Sequence, residues 1–82
     1  MGVKALREAF DAAADGRLSC QKALLDYIRQ DGAEWQKLSF SGTDSTGAAF
    51  STESDLLPPR TDLTEAARAT ATAFLAKEKP AP

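Results

Sequence analysis

Cys20, Ala23, Leu24, Tyr27 and Ile28 recur at helical intervals, and this recurrence constrains the chain more than any other feature. Offsets of three, four, seven and eight residues line apolar side chains along one stripe of an α-helix. Lys22, Asp26 and Arg29 fall on the opposite side, three or four residues apart, where opposite charges pair weakly. Ser19 offers an N-cap hydroxyl, and Gly32 offers a stop that accepts positive φ. The pattern predicts a helix over Ser19–Gln30. It holds the densest run of large apolar side chains in the chain, so the other elements are expected to pack on it.

Upstream, Val3, Leu6, Phe10 and Ala13/Ala14 repeat by threes and fours, which predicts a first helix over Val3–Asp15 with Gly16 just past its end. Asp15-Gly16-Arg17-Leu18 would join the two helices into a helical hairpin. Downstream, Leu38 and Phe40 alternate with Lys37, Ser39 and Ser41 as in a half-buried strand. Gly42 to Gly47 reads as a turn, and Ala48–Thr52 as a return strand. Leu56-Leu57 precedes Pro58-Pro59, which halts any helix there. Asp62 and Glu65 have capping-box spacing and open a last helix that runs to about Lys77–Glu78. The expected order is α-α-β-β-α: one small α+β domain over residues 1–79, with a helical hairpin and a C-terminal helix packed on a two-stranded antiparallel hairpin. Residues 80–82 are expected to form a frayed tail.

The core this pattern can build is thin. Hydrophobic residues make up 43% of the 82, but sixteen of them are Ala, which contributes little volume. A domain of this size buries only about 60–65% of its unfolded surface. Several bulky side chains also lie off the expected buried stripes. Leu25 falls among Lys22, Arg29 and Gln21, Leu75 is displaced from the Leu63–Phe74 face, Trp35 has the opposite strand parity from Leu38 and Phe40, and Leu56-Leu57 stands in a Pro-flanked loop. Leu25, Trp35, Leu56, Leu57 and Leu75 are therefore the candidate protein-contact residues, since an apolar patch rimmed by charge marks an interaction surface.

Chemistry is poorly provided for. There is no His, which removes the commonest general base and zinc ligand, and the lone Cys20 cannot form an internal disulfide. Gly42 and Gly47 have phosphate-loop spacing, but Ala48 and Ala49 stand where Lys and Ser/Thr are required. Asp44, Glu53 and Asp55 are too dispersed for a calcium loop. No cofactor, metal or enzymatic activity is expected. The net charge of −2 includes a local −5 over residues 31–65, which disfavours nucleic acid. No apolar run approaches the roughly 20 residues of a membrane helix, and the first residues lack a signal-peptide core, so a soluble cytoplasmic chain is expected.

The leading expectation is a small non-enzymatic protein-interaction module, of the adaptor, inhibitor or structural accessory kind found in phages and plasmids, with an unidentified protein partner or a second copy. The first alternative is a DNA-binding protein that uses helix 19–30 of a helix-turn-helix-like hairpin, with Arg17, Gln21, Lys22 and Arg29 toward the nucleic acid. The second alternative starts from Gly42-Thr43-Asp44-Ser45, which resembles the Gly-x-Asp-Ser of acyl and peptidyl carrier proteins. That resemblance implies modification of Ser45 by phosphopantetheine and a helix opening directly after it. Thr46 and Gly47 stand where carrier proteins place a Leu, Ile or Met.

Overall fold

A computed structural model describes residues 2–78; the tail expected at 80–82 lies outside them. The chain runs through helix α1 (Val3–Ala14), strands β1 (Leu18–Gln30), β2 (Ala33–Asp44) and β3 (Ala49–Glu53), and helix α2 (Leu63–Glu78). The strands form one antiparallel sheet in the order β1-β2-β3. The observed order is thus α-β-β-β-α, which corrects the expected α-α-β-β-α. The segment 19–30 is a strand and not a helix, there is no helical hairpin, and the sheet has three strands and not two.

Two local features explain the correction. Asp31 and Gly32 both take positive φ, at 53° and 75°, and close a two-residue loop between Gln30 and Ala33. An Asp-Gly pair in that conformation matches the twist of an antiparallel hairpin. The second feature is a bulge in β1. Cys20 faces Gly42 but Lys22 faces Ser41, so Gln21 is an extra residue. The bulge widens the spacing on the buried face from two to three residues at that point. Leu18, Cys20, Ala23 and Leu25 then share one face of the strand. The three-residue step from Cys20 to Ala23, with Leu24 and Ile28 on the other face, reproduces the offsets of a helical stripe.

Gly42 is required where the bulge crosses it. A Cβ built there would clash with the carbonyl oxygen of Ser19 and stand 2.9 Å from the Gln21 nitrogen. The hairpin expected downstream does form, as β2 and β3, with Phe40 opposite Thr52 and Gly42 opposite Phe50. Ser45–Ala48 is its loop, with Gly47 at φ 88°. Asp44 holds that loop: its carboxylate accepts from the Thr46 hydroxyl at 2.6 Å, the Thr46 N–H at 2.9 Å and the Ala48 N–H at 3.0 Å. Beyond Glu53 the chain stays beside β2, since Leu57 exchanges backbone hydrogen bonds with Gln36 at 2.7 and 2.9 Å.

Both helices lie on one face of the sheet. Phe10 of α1 is fully buried and stacks on Phe40 with ring centroids 4.4 Å apart and on Phe50 at 5.8 Å; Phe50 meets Phe74 of α2 at 5.5 Å. Leu6, Leu38 and Cys20 complete the bulky part of the core. The helix–helix side of the core is built largely from Ala9, Ala14, Ala66, Ala67 and Ala71. Small side chains there let the helices approach closely.

α1 ends where expected, with Asp15 in the left-handed region at φ 51°. α2 begins at the expected cap: Asp62 accepts from the Thr64 hydroxyl at 2.7 Å and the Thr64 and Glu65 N–H groups at 3.1 and 3.2 Å. Glu65 pairs with Arg68 at 3.0 Å. The carboxyls of Asp44 and Asp62 are both held below the usual range, chiefly by the hydroxyls of Thr46 and Thr64 and then by backbone N–H groups. A depressed native pKa contributes stability that is complete above the unfolded value of about 4 and fades as pH falls through the native value. The melting temperature is therefore expected to hold from neutral pH to about 5 and to drop below about 4. Asp62→Ala should lower the plateau by a few degrees and flatten the acid limb, as a thermal melt across pH would record.

Candidate interaction surface

The hairpin is longer than the helices that cover it. Thirteen residues of β1 extend about 40 Å at ~3.3 Å per residue, which matches the 43 Å long axis of the molecule. The twelve residues of α1 and sixteen of α2 span only about 18 and 24 Å. On the helix side of β1 the burial follows this mismatch. Leu18, Cys20 and Ala23 are buried and Leu25 is half-buried, but Tyr27 on the same face is 70% exposed. Beyond Tyr27 the face carries the exposed pair Arg29–Glu34, 3.3 Å apart.

The opposite face of the sheet has no helix on it. There Ile28 lies directly across from Trp35, Asp26 across from Lys37, and Leu24 across from Ser39. Ile28 and Trp35 are half-buried against each other's strand, and Leu24 is 45% exposed. Lys37 reaches Glu53 at 3.0 Å, and Gln21 donates to the Thr43 hydroxyl at 3.5 Å. The end of the hairpin away from the β2–β3 loop thus presents Leu24, Ile28 and Trp35 on one side and Tyr27 on the other.

The five expected contact residues separate in the structure. Leu25, Leu57 and Leu75 are half-buried and pack against the core. Leu56 is half-buried beside Leu57. Trp35 alone of the five joins the open face. The 20–28 stripe also divides: Cys20 and Ala23 are buried as expected, whereas Leu24 and Tyr27, also expected inside, are among the most exposed large apolar residues. Gln36, which sequence reasoning passes over, is buried and donates to the Pro58 carbonyl at 3.1 Å. Leu24 and Tyr27 are readable only from hairpin register, with Asp31-Gly32 as the signal.

The residues assigned to nucleic acid do not converge. Lys22 lies on the open face of β1, Gln21 is the bulged residue, Arg29 is on the helix-side face and engaged by Glu34, and Arg17 lies in the α1–β1 connection. The reader helix that this assignment needs is a strand. Ser45 sits exposed in the β2–β3 loop, its N–H bonded to the Arg17 carbonyl at 3.0 Å, and no helix opens after it. The helix implied by the carrier-protein resemblance is therefore absent.

An open groove of about 970 Å³ lies between this loop and the ends of the helices, bordered by Arg17, Asp44, Phe50, Phe74 and Leu75. Asp44 spends one carboxylate oxygen on the loop itself. Burial pushes the Cys20 thiol above the usual range, and its S–H donates to the Lys22 carbonyl at 3.3 Å, so it behaves as a small core residue. Among the described residues, no three Cys, Asp or Glu side chains converge as a metal site would require. No helix among them is long and apolar enough to cross a membrane. No protein-family model, curated protein or solved structure matches the chain.

Proposed function

We propose that this chain is a small non-enzymatic protein-binding module whose contact element is the uncovered end of the β1–β2 hairpin. The observation that supports the reading is the exposure of Tyr27 and Leu24, at 70% and 45%, on a strand whose Leu18, Cys20 and Ala23 are buried. Aromatic side chains carry much of the energy of protein contacts because they offer large rigid area at low entropic cost. Tyr27 and Trp35 lie within two positions of each other across the hairpin, one on each face, since Tyr27 opposes Gln36 and Ile28 opposes Trp35. A partner that clasps the hairpin would bury both, together with Leu24 and Ile28.

A photo-crosslinking residue tests this reading. Tyr27→p-benzoylphenylalanine is expected to give a discrete protein adduct on irradiation in purified or host-extract conditions. Ala48→p-benzoylphenylalanine, in the loop at the far end of the sheet, should give none. Absence of any adduct from position 27, at full occupancy of a folded protein, would contradict the reading.

A further inference from the structure

The outer edge of β1 is one long strand edge, and its backbone directions are set by the pairing. Gln36 and Leu38 of β2 turn their N–H and C=O groups toward the β3 side, where Leu57 and Ser54 bond them. In an antiparallel ladder the residues opposite them then point away from β2. Those residues are Tyr27 and Leu25, and alternation adds Ala23. The same edge is closed at Cys20, whose N–H donates to Asp11 at 2.9 Å and whose carbonyl accepts from Arg7 at 3.3 Å. α1 thus seals the edge at the bulge and leaves the stretch from Ala23 onward open. Unpaired strand edges are templates for another strand.

The charges along this stretch are complementary to themselves. Lys22 and Asp26 flank Leu24 symmetrically on the open face, and neither belongs to an ion pair among the described residues. We infer that the occupant of this edge is a second copy of the chain, paired antiparallel through β1 about a two-fold axis at Leu24, with Lys22 of each copy facing Asp26 of the other. This rests on the reading of the hairpin as a protein-binding surface and names its partner. The register meets the backbone requirement, because Ala23 of one copy falls opposite Leu25 of the other and both have their bonding groups on the open edge. Leu24 then meets Leu24 in a non-hydrogen-bonded position, where side chains are closest. Shifting the axis to Leu25 sets Leu24 against Asp26, and shifting it to Asp26 sets two carboxylates together. The favoured register also brings Tyr27 of one copy beside Gln21 of the other, next to the point where Arg7 and Asp11 reach the strand. The two sheets join into one six-stranded sheet with a closed, isologous interface.

Sedimentation equilibrium from low micromolar to several hundred micromolar tests the assembly, with circular dichroism to verify that each variant is folded. The wild-type chain is expected at twice its 8.7 kDa mass at the upper concentrations. Lys22→Asp and Asp26→Lys each oppose like charges twice and should weaken the dimer about tenfold or more. The double swap, K22D with D26K, restores both pairs in reversed sense and should return the dissociation constant to near the wild-type value. A dimer that fails to recover in the double swap overturns the register. A wild-type chain that stays monomeric throughout overturns the self-pairing. If that monomer still gives a Tyr27 adduct of a mass other than two chains, the protein-binding reading stands without this inference; if it gives none, both fall.

Discussion

Phe10→Ala is expected to remove a large share of the protein's stability, about 3–5 kcal/mol. The ring is fully buried and lies between Phe40 and Phe50, so its removal opens a cavity beneath the centre of the sheet and ends both stacks. Phe→Ala changes in cores cost about 3–5 kcal/mol. A domain of 82 residues has a total stability of about 4–12 kcal/mol at 0.05–0.15 kcal/mol per residue. The neighbours cannot easily collapse into the gap, because the helix–helix side of the core is already built from Ala. Urea denaturation should show the midpoint moved far toward zero with the slope little changed. Phe10→Leu, which keeps most of the volume, should retain a cooperative transition. A midpoint for Phe10→Ala close to wild type would mean that the ring is not at the centre of the core.

Gly42→Ala adds a single methyl group and is expected to cost about 3 kcal/mol, at the upper end of overpacking effects. The obstacle is backbone and not a flexible side chain. The new Cβ would clash with the Ser19 carbonyl oxygen, far inside contact distance, and press on the Gln21 nitrogen at 2.9 Å. Relief requires β1 and β2 to part at the bulge, which also disturbs the Cys20 contacts with Arg7 and Asp11. Ser41→Ala, one residue away on the open face, should change stability by less than about 0.5 kcal/mol. Equal effects at the two positions in a thermal or urea melt would show that the bulge does not cross β2 at Gly42.

The two helices are legible in the sequence because their signals are local. The i, i+3, i+4 repeat of Leu6, Phe10 and Ala13/Ala14 and the Asp62 cap act within a turn or two, and both survive in the structure. The β2–β3 hairpin is legible for the same reason, from the alternation of Leu38 and Phe40 and the Gly47 turn. β1 is not, because its bulge replaces strict alternation by a step of three and so counterfeits a helical face. The signal against a helix lies outside the segment, in Asp31-Gly32. That dipeptide reads as a helix stop, yet it is a hairpin loop with both residues at positive φ. Asp15-Gly16, the same dipeptide with the same sign of φ, does end a helix. The residues after each pair distinguish them: Arg17-Leu18 enters the sheet from α1, whereas Ala33-Glu34-Trp35 turns back on Arg29 and Ile28.

The same counterfeit reaches the candidate site. A helix over 19–30 buries Leu24 and Tyr27 and displaces Leu25, whereas a bulged strand does the reverse. Trp35 is off-pattern for a sound reason, its parity, and the structure places it on the open face opposite Ile28. Leu57 and Leu75 look unhoused in the sequence because their partners are distant along the chain. Leu57 is drawn in by Gln36, and Leu75 by the face of α2 that borders the core.

Cross-strand Hα–Hα nuclear Overhauser effects over residues 19–40 test the hairpin on which everything else depends. Ala23–Phe40, Leu25–Leu38 and Tyr27–Gln36 are the close, non-hydrogen-bonded pairs of the ladder, and each is expected to give a strong cross-peak. Strong sequential amide–amide effects and Hα-to-amide effects three residues apart through Ser19–Gln30, with those three cross-peaks missing, would show a helix there and contradict the account.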